Sequence, residues 1–321
     1  MANRVFTAMT IVVVVMLFMV CGNALSAGSG KNITSKEIRG NIFASAYLSD
    51  NTNIMVGDSG KIYLSAGTNG NWILIPSGTT EQLFSVSFVD SRNGWVSGSS
   101  GTILHTSDGG RAWEKQRSNV DKHLFGIHFF DPLRGTAVGD WGAIVITEDG
   151  GRNWKDAHLP EDVVLYGVRT TKTGGVIVGE FGNIFRSNDM GRTWNKGPAI
   201  VEQSLFCLSE YEGTMVAGGL EGVLIHSTDG GKTWKRSTSP LNQSIYGIDV
   251  RGISGYAVGN RGTVLRTADG GKTWSAIGVP LGIQLFWFGT VQISPIGNLP
   301  RGFGAGAHGL NFRLSDKEIS W

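Results

Sequence analysis

The chain has 321 residues, of which 48 are glycine and 17% are charged, and its formal net charge is +2. Typical proteins contain about 7% glycine and about 25% charged residues, so this composition favours an all-β fold with many turns over a helical one. The small net charge, with no basic cluster interleaved with aromatic residues, excludes a strong electrostatic attraction to nucleic acid. We therefore expect no nucleic-acid partner.

The first 27 residues predict an export signal. Arg4 supplies a positive charge, Ile11 to Cys21 form an apolar run, and small residues follow up to Ala27. This order is typical of a secretory signal peptide, which we expect to be cleaved between Ala24 and Ala27. An uncleaved N-terminal anchor is the alternative, although the run is shorter than the ~20 residues of a membrane span. Cleavage would leave Cys207 as the only thiol, which we expect to be buried and unreactive because it lies in an apolar run.

A turn motif recurs along the rest of the chain, with the pattern Ser/Thr-x-Asp-x-Gly-x-x-Trp. Glycine supplies the positive φ of a tight turn, the aspartate accepts N–H hydrogen bonds within it, and the tryptophan fills the gap between neighbouring sheets. Degenerate copies occur at Ser65 to Trp72 and at Leu314 to Trp321. The five regular copies contain Asp108 and Trp113, Asp149 and Trp154, Asp189 and Trp194, Asp229 and Trp234, and Asp269 and Trp274.

Each motif belongs to a longer repeat that opens with an aliphatic–aromatic pair. The pairs are 41 or 40 residues apart, a spacing typical of repeat architectures. Four short runs of β-branched and aromatic residues alternate with glycine-rich turns in one unit, which indicates a propeller blade. We therefore predict an all-β, seven-bladed β-propeller of four-stranded antiparallel blades over residues 42–321. The predicted blades start near residues 42, 83, 124, 165, 205, 245 and 285.

The two ends of this propeller are less regular. The last repeat stops at Trp321, where the other repeats continue for several residues, so its outer strand is expected to be missing. Residues 28–41 are expected to form a linker, of which residues 32–40 could supply that strand and join the chain ends. Trp287 stands where most first strands have a small residue. It either plugs one side of the channel or fills space left by a distorted last blade.

These repeats resemble the Asp-box, or bacterial neuraminidase, repeat. An export signal followed by seven repeats with sequences such as Thr267 to Trp274 resembles the photosystem II stability/assembly factor family over residues 42–321. The resemblance implies a non-enzymatic helper that binds a membrane-protein complex or one of its assembly intermediates. The expected location is the periplasm, or the thylakoid lumen if the host is photosynthetic, with a membrane tether if the N-terminus is uncleaved.

Propeller geometry predicts where a partner would bind. The turns between second and third strands share one face with the connections between blades, and the Asp-box turns lie on the other. The first face is expected to be acidic and the second basic; alternatively, duplication has copied solvated charges that bind nothing. Exposed aromatic residues beside charges are common at interfaces, but these aromatic residues could instead pack on their own hairpins. The predicted contact residues are Asp140, Trp141, Glu180, Phe181 and Glu221, with Arg261 and His308 on the same face.

A secreted sialidase- or glycosidase-like propeller is the alternative function. Glu180, together with Asp140 or Glu221, could form the carboxylate pair of a glycosidase. However, Tyr166 and Tyr246 stand at the packed aromatic position, and the short repeats leave no long loops for a cleft. We therefore predict no catalytic residue. The histidines are not spaced as metal ligands, so we expect no metal site. We also expect no cofactor, and we expect the chain to be a monomer.

Overall fold

The computed structural model describes residues 30–48, 52–65, 71–294, 302–315 and 319–320. Within these residues the chain forms seven antiparallel sheets, which are the blades of a seven-bladed β-propeller, as predicted. The predicted signal segment 1–27 lies outside the described residues, as do Asp316 and Trp321 of the last degenerate motif. No helix among the described residues is long and apolar enough to cross a membrane.

In blades 2 to 7 the strands follow chain order from the axis to the rim, and in blade 1 β2 to β5 do so, with β1 outside β5. The innermost strands of neighbouring blades pack against each other around the axis. Blade 1 contains β1 (Lys31–Thr34), β2 (Ile42–Tyr47), β3 (Asn53–Gly57), β4 (Ile62–Ser65) and β5 (Asn71–Ile75). Blade 2 contains β6 (Leu83–Phe88), β7 (Gly94–Gly98), β8 (Ile103–Thr106) and β9 (Glu114–Gln116). Blade 3 contains β10 (Leu124–Phe129), β11 (Gly135–Gly139), β12 (Ile144–Thr147) and β13 (Lys155–Asp156).

The remaining four blades repeat this arrangement. Blade 4 contains β14 (Leu165–Thr171), β15 (Gly174–Gly179), β16 (Ile184–Ser187) and β17 (Asn195–Lys196). Blade 5 contains β18 (Leu205–Tyr211), β19 (Thr214–Gly219), β20 (Leu224–Ser227) and β21 (Lys235–Arg236). Blade 6 contains β22 (Ile245–Arg251), β23 (Ser254–Gly259), β24 (Val264–Thr267) and β25 (Ser275–Ala276). Blade 7 contains β26 (Phe288–Ile293), β27 (Gly302–Gly306), β28 (Asn311–Leu314) and β29 (Ile319–Ser320).

Single 3-10 turns connect the second and third strands of six blades, counted from the inner strand; one more lies between β1 and β2, and one lies between blades 6 and 7. Those within blades are Asp58–Gly60, Asp140–Gly142, Glu180–Gly182, Leu220–Gly222, Asn260–Gly262 and Ala307–Gly309. The turn between β1 and β2 is Ser35–Glu37, and the turn between blades 6 and 7 is Ile283–Leu285.

The N-terminal segment adds a fifth strand to the first blade. β1 pairs antiparallel with β5 from Lys31 opposite Leu74 to Thr34 opposite Asn71, and Ile33 is buried beside Trp72. The last blade has its own fourth strand, β29. The predicted transfer of residues 32–40 to the last blade is therefore wrong, because the free edge of β5 binds this segment instead.

Packing closes the ring between blades 7 and 1. Ile38 and Trp72 share a buried cluster with Phe303 of blade 7, and the Trp72 and Phe303 ring centroids are 5.6 Å apart. The backbone N–H of His308 donates to Asn41 Oδ1 at 3.3 Å. The other apolar clusters also lie between consecutive blades, as where Trp95 and Phe129 stack at 3.6 Å. Burial of one such large side chain stabilises the fold by about 1.5–3 kcal/mol.

Every inner strand contains a β-bulge at its second residue. In β10, Leu124 pairs with Gly139 and Gly126 pairs with Val138, so Phe125 has no partner of its own. The same shift occurs in the other six inner strands. A bulge bends the strand and turns one side chain out of the regular alternation. In six blades this residue is the aromatic member of the repeated pair, whereas in blade 7 it is Gly289.

Polar side chains link the inner strands of consecutive blades. Ser87 Oγ accepts the backbone N–H of Phe129 at 3.0 Å, and Asp249 Oδ2 accepts that of Ile293 at 2.7 Å. His128 Nδ1 accepts the N–H of Thr170 at 3.1 Å. Burial lowers the pKa of His128 to about 3, so the ring stays neutral and can act as an acceptor. These side chains therefore satisfy backbone donors that would otherwise be buried without a partner.

The Asp-box aspartates organise their turns as predicted. Asp269 Oδ1 accepts the N–H groups of Lys272 at 3.0 Å and Thr273 at 2.9 Å, and Oδ2 accepts the Thr273 hydroxyl at 2.7 Å. The Thr267 hydroxyl donates to Oδ1 at 2.9 Å and accepts the N–H of Gly271. Burial opposes ionisation of Asp269, but the hydrogen bonds from Thr273 and Thr267 outweigh it and lower its pKa to about 2.

The Asp-box tryptophans pack behind the same turns. Trp274 is buried and donates its indole N–H to the carbonyl of Gly271 at 3.0 Å. Gly271 has φ +88°, and a Cβ there would lie 2.6 Å from a methyl group of Val216 in the preceding blade. Trp154 differs because its indole N–H donates to Gln116 Oε1 of blade 2 at 3.2 Å. Each turn is thereby fixed against a neighbouring blade.

We expect Asp269→Ala to lower the free energy of unfolding by about 1–3 kcal/mol at pH 7, because it removes an ionised acceptor. The pKa of an unfolded aspartate is about 3.9, above that of folded Asp269. The stabilisation is therefore complete above about pH 4 and is lost as the pH falls towards about 2. Denaturant titration of both proteins across this range measures the difference. The control is Asp162→Ala, which alters an exposed aspartate; an Asp269→Ala deficit as large at pH 2 as at pH 7 would contradict the prediction.

Candidate functional site

The turn after the second strand of each blade ends in an outward-pointing tip. Its middle residue has φ between 50° and 58° in all seven blades, although none of these residues is glycine. Left-handed backbone costs a non-glycine residue about 1–2 kcal/mol, so each tip holds its side chain in a strained conformation. These blade-tip residues, which define the blade-tip face, are Ser59, Ser100, Trp141, Phe181, Glu221, Arg261 and His308.

The structure places all seven predicted contact residues on this face, but it gives them different roles. Trp141 and Phe181 are exposed, with relative accessibilities of 61% and 71%. The predicted alternative, that both rings pack away on their own hairpins, therefore does not describe the structure. Lys122 Nζ lies 5.9 Å from the centroid of the Trp141 ring.

The carboxylates of the blade-tip face contact the protein itself. Glu180 Oε2 accepts the backbone N–H of Val164 at 3.0 Å, at the entrance to β14. Asp58 Oδ2 accepts the N–H of Asn41 in the same way at 2.9 Å. Glu221 accepts the side-chain amide of Gln203 at 3.2 Å. Glu180 thus fixes the chain between two blades, a positioning role that sequence reasoning did not anticipate.

Seven aromatic rings form a closed circle at the mouth of the central channel, on the blade-tip face. Six belong to bulge residues, and adjacent ring centroids lie between 5.1 and 6.3 Å apart. Spacings of 4.5–7 Å are typical of favourable aromatic pairs. This aromatic collar consists of Phe43, Phe84, Phe125, Tyr166, Phe206, Tyr246 and Trp287.

Trp287 is the seventh member of the collar, although it lies one residue before the inner strand of blade 7. The inner strand of blade 7 begins at Phe288, not near residue 285 as predicted, because residues 283–285 form a 3-10 turn. The bulge residue is Gly289, and a Cβ there would lie 3.0 Å from the Trp287 ring. The missing side chain leaves space for this ring, which stacks on Phe43 at 6.0 Å. Trp287 therefore occupies the seventh aromatic position.

Every collar residue keeps part of its surface accessible to solvent, and the relative accessibility of Tyr246 is 36%. Burial raises the pKa of Tyr166, and the nearby carboxylates of Glu180 and Asp140 raise it further.

Below the collar, Cys207 contacts the carbonyl of Gly218, and desolvation raises the pKa of its thiol to about 12. The thiol is therefore protonated, in agreement with the predicted low reactivity, although the residue is partly accessible and not buried as predicted.

The opposite face contains the Asp-box turns. Exposed Leu133 and Ile253 lie there, since their carbonyl groups accept the N–H groups of Gly150 and Gly270 in those turns. The described residues contain no group of three histidine, cysteine, aspartate or glutamate side chains that could hold a metal ion.

Sequence reasoning missed the collar because it interpreted the repeated aromatic residue as a packing position. The signal was present in the aliphatic–aromatic pair that opens each repeat. The aliphatic member, such as Leu83 or Leu124, is fully buried between blades. The aromatic member is half-buried, because the bulge turns it towards the channel mouth.

Two comparisons with known proteins identify relatives of this propeller. The family described as "Photosynthesis system II assembly factor YCF48" matches residues 64–124, 112–201 and 200–286. A solved structure described as "YCF48 bound to D1 peptide" is 18% identical with a TM-score of 0.69, covering 91% of this chain and 98% of that one. YCF48 from Cyanidioschyzon merolae is 16% identical with a TM-score of 0.69, covering 90% and 100%.

A glycoside hydrolase shares the fold. The GH74 enzyme from Niastella koreensis is 14% identical with a TM-score of 0.71, but the match covers 90% of this chain and only 53% of that enzyme. No curated protein matches the sequence. The family matches together span residues 64 to 286, which is more than half of the chain. The chain therefore belongs to the photosynthesis system II assembly factor YCF48 family.

Proposed function

We propose that this protein is an exported, non-enzymatic assembly or stability factor that binds a polypeptide segment of a membrane-protein complex through its blade-tip face. Family membership supports a role in assembly. The structure of a relative with a bound D1 peptide supports a protein segment as the ligand. The observation that carries the proposal is the aromatic collar, together with exposed Trp141 and Phe181 beside it.

The collar has the properties of a preformed binding surface. Its seven rings contact one another in a closed circle, so their positions are set before a ligand arrives. All seven rings keep part of their surface accessible, and adjacent exposed aromatic surface in soluble proteins marks interaction sites. Aromatic anchors of this kind dominate the binding energy of many interfaces. We therefore place the partner across the channel mouth, with Trp141 and Phe181 at the edge of the contact.

The observed contacts favour binding over glycoside hydrolysis. The predicted carboxylate pairs all include Glu180, whose carboxylate accepts the N–H of Val164. Glu221 is in turn hydrogen-bonded to Gln203. The similarity to the GH74 enzyme, at 14% identity, concerns the fold alone.

The double substitution Trp141→Ser and Phe181→Ser tests the proposed surface. Serine occupies the equivalent left-handed positions in blades 1 and 2, at Ser59 and Ser100, so the fold should tolerate it. We expect binding of the mature chain, residues 28–321, to a complex captured from solubilised membranes to weaken at least about tenfold, as for removal of interface anchors. Quantitative pull-down, with mass spectrometry of the captured complex, measures this change.

The matched control is Leu133→Ser with Ile253→Ser, which removes two exposed apolar side chains from the Asp-box face. We expect this variant to bind like the unaltered chain. Loss of binding in the control alone would move the site to the opposite face. Glycoside cleavage by a chain that captures no membrane protein would overturn the proposed function.

Export has its own test. Expression of the full chain in a bacterium should yield a periplasmic protein that begins between residues 25 and 28, because signal peptidase cleaves after small residues. N-terminal sequencing measures the cleavage site. Replacing Val13, Val14 and Val15 by aspartate should retain the protein in the cytoplasm, whereas unchanged export would contradict the prediction. A membrane-bound, uncleaved product would favour the anchor.

A further inference from the structure

A groove between blades 2 and 3 continues the blade-tip face towards the rim. It has a volume of about 920 Å³, begins between the tips at Ser100 and Trp141, and runs beside β9. We infer that this groove binds an acidic, extended polypeptide segment of the partner. The inference rests on the proposed function and specifies the chemistry of one part of the ligand.

Positive charge lines the groove without full compensation. Lys115, Arg117 and Lys122 contribute cationic side chains to its walls, against Asp121 and Asp156, and His158 lies there too. His158 pairs with Asp156 at 3.0 Å, and Lys122 pairs loosely with exposed Asp121 at 3.6 Å. Among the described residues, neither Lys115 nor Arg117 forms a salt bridge. Both are exposed, so two cations are free to bind carboxylates.

The walls of the groove are held in place from both blades. Gln116 bridges them, donating to the carbonyl of Gly150 at 3.0 Å and accepting the indole N–H of Trp154. The side-chain amide of Asn119 donates to the carbonyl of Trp154 at 3.0 Å. Nearer the tips, the N–H of Gly101 donates to the carbonyl of Lys122 at 2.7 Å. A preorganised groove binds its ligand without paying for loop ordering.

The main chain of the groove suits an extended segment. β9 is the last strand of its sheet among the described residues, so its outer edge has no strand partner there. An outer edge of this kind can bind an extended segment, because β1 pairs antiparallel with the outer edge of β5 in blade 1. β9 has three residues, whereas the outer strands β13, β17, β21 and β25 have two. Strand addition supplies affinity through the backbone, while side-chain pockets supply specificity.

The shape of the site favours a polypeptide over an anionic membrane. A membrane surface requires an exposed, convex basic patch, but Lys115 and Arg117 lie along a concave groove with Trp141 as one wall. A carboxylate-bearing strand can reach both cations while an apolar side chain covers the indole ring. Trp141 therefore belongs to both the groove and the proposed docking surface.

The test compares two short synthetic peptides, one of alternating glutamate and threonine and one with glutamine in place of glutamate. Calorimetric titration of the mature chain should show at least about tenfold tighter binding of the glutamate peptide, with the difference shrinking as salt screens the charges. Lys115→Glu with Arg117→Glu should weaken that binding about tenfold or more. The matched control is Arg236→Glu, which reverses a charge at the equivalent rim position of blade 5.

Equal affinities for the two peptides, or an equal loss in Arg236→Glu, would overturn the inference. Binding to phosphatidylglycerol vesicles that is lost in Lys115→Glu with Arg117→Glu, without binding of the glutamate peptide, would also overturn it, because the ligand of the groove would then be a membrane surface. The pull-down separates this outcome from failure of the proposed function. If Lys115→Glu with Arg117→Glu captures the membrane complex normally while Trp141→Ser with Phe181→Ser does not, the docking face stands and the groove assignment is wrong.

Discussion

The convergence of seven inner strands on one axis is the constraint on which the rest of the structure depends. The strands must approach closely, so the third residue of each is small: a Cβ on Gly126 would lie 2.8 Å from the carbonyl oxygen of Tyr166. Their inward edges also carry backbone donors that need partners. Side chains of the preceding blade, such as Ser87 and Asp249, accept these donors. Close packing and buried hydrogen bonds thus hold successive blades in one orientation.

The same constraint creates the candidate site. A regular strand would place alternate side chains against the two neighbouring blades, and no ring of aromatic side chains would face the channel mouth. The bulge adds one residue to the inner strand where it leaves the blade-tip face, and this residue turns towards the axis. Because an aromatic residue occupies the bulge in six blades, and Trp287 fills the space that Gly289 leaves in the seventh, seven aromatic rings meet in one circle. The collar is therefore a product of the repeat and of ring closure together.

Carboxylates serve two structural purposes in this chain, one on each face. On the Asp-box face, the hydroxyl and backbone N–H of Thr233 hold the pKa of Asp229 well below its usual range, so the residue stays ionised as a turn acceptor. On the blade-tip face, Glu180 and Asp58 accept N–H groups where the chain enters the inner strand of their own blade. Residue type alone would suggest an acidic binding surface. The contacts assign part of that charge to holding the blades in register.

The sequence by itself determined the features that depend on contacts within a few residues. The Asp-box turn is one example, because all partners of Asp269 lie between Thr267 and Thr273. The regular spacing of these turns then predicted the number of blades and the position of Trp141 and Phe181 on the blade-tip face, whereas only the structure showed that both side chains are exposed. It also predicted that Cys207 would be an unreactive thiol, because its neighbours are apolar.

Only the tertiary structure decided the features that depend on contacts between distant residues. Ser45 and Thr290 meet across the closed ring although 245 positions separate them, and Trp287 completes the collar because Gly289 leaves it space. β1 joined the first blade because the outer edge of β5 was free to pair with it. The groove beside Lys115 lies between blades 2 and 3, which the stacked Trp95 and Phe129 rings and the hydrogen bonds of Gln116 hold together. Local patterns cannot specify such contacts, since the partners come together only when the ring has closed.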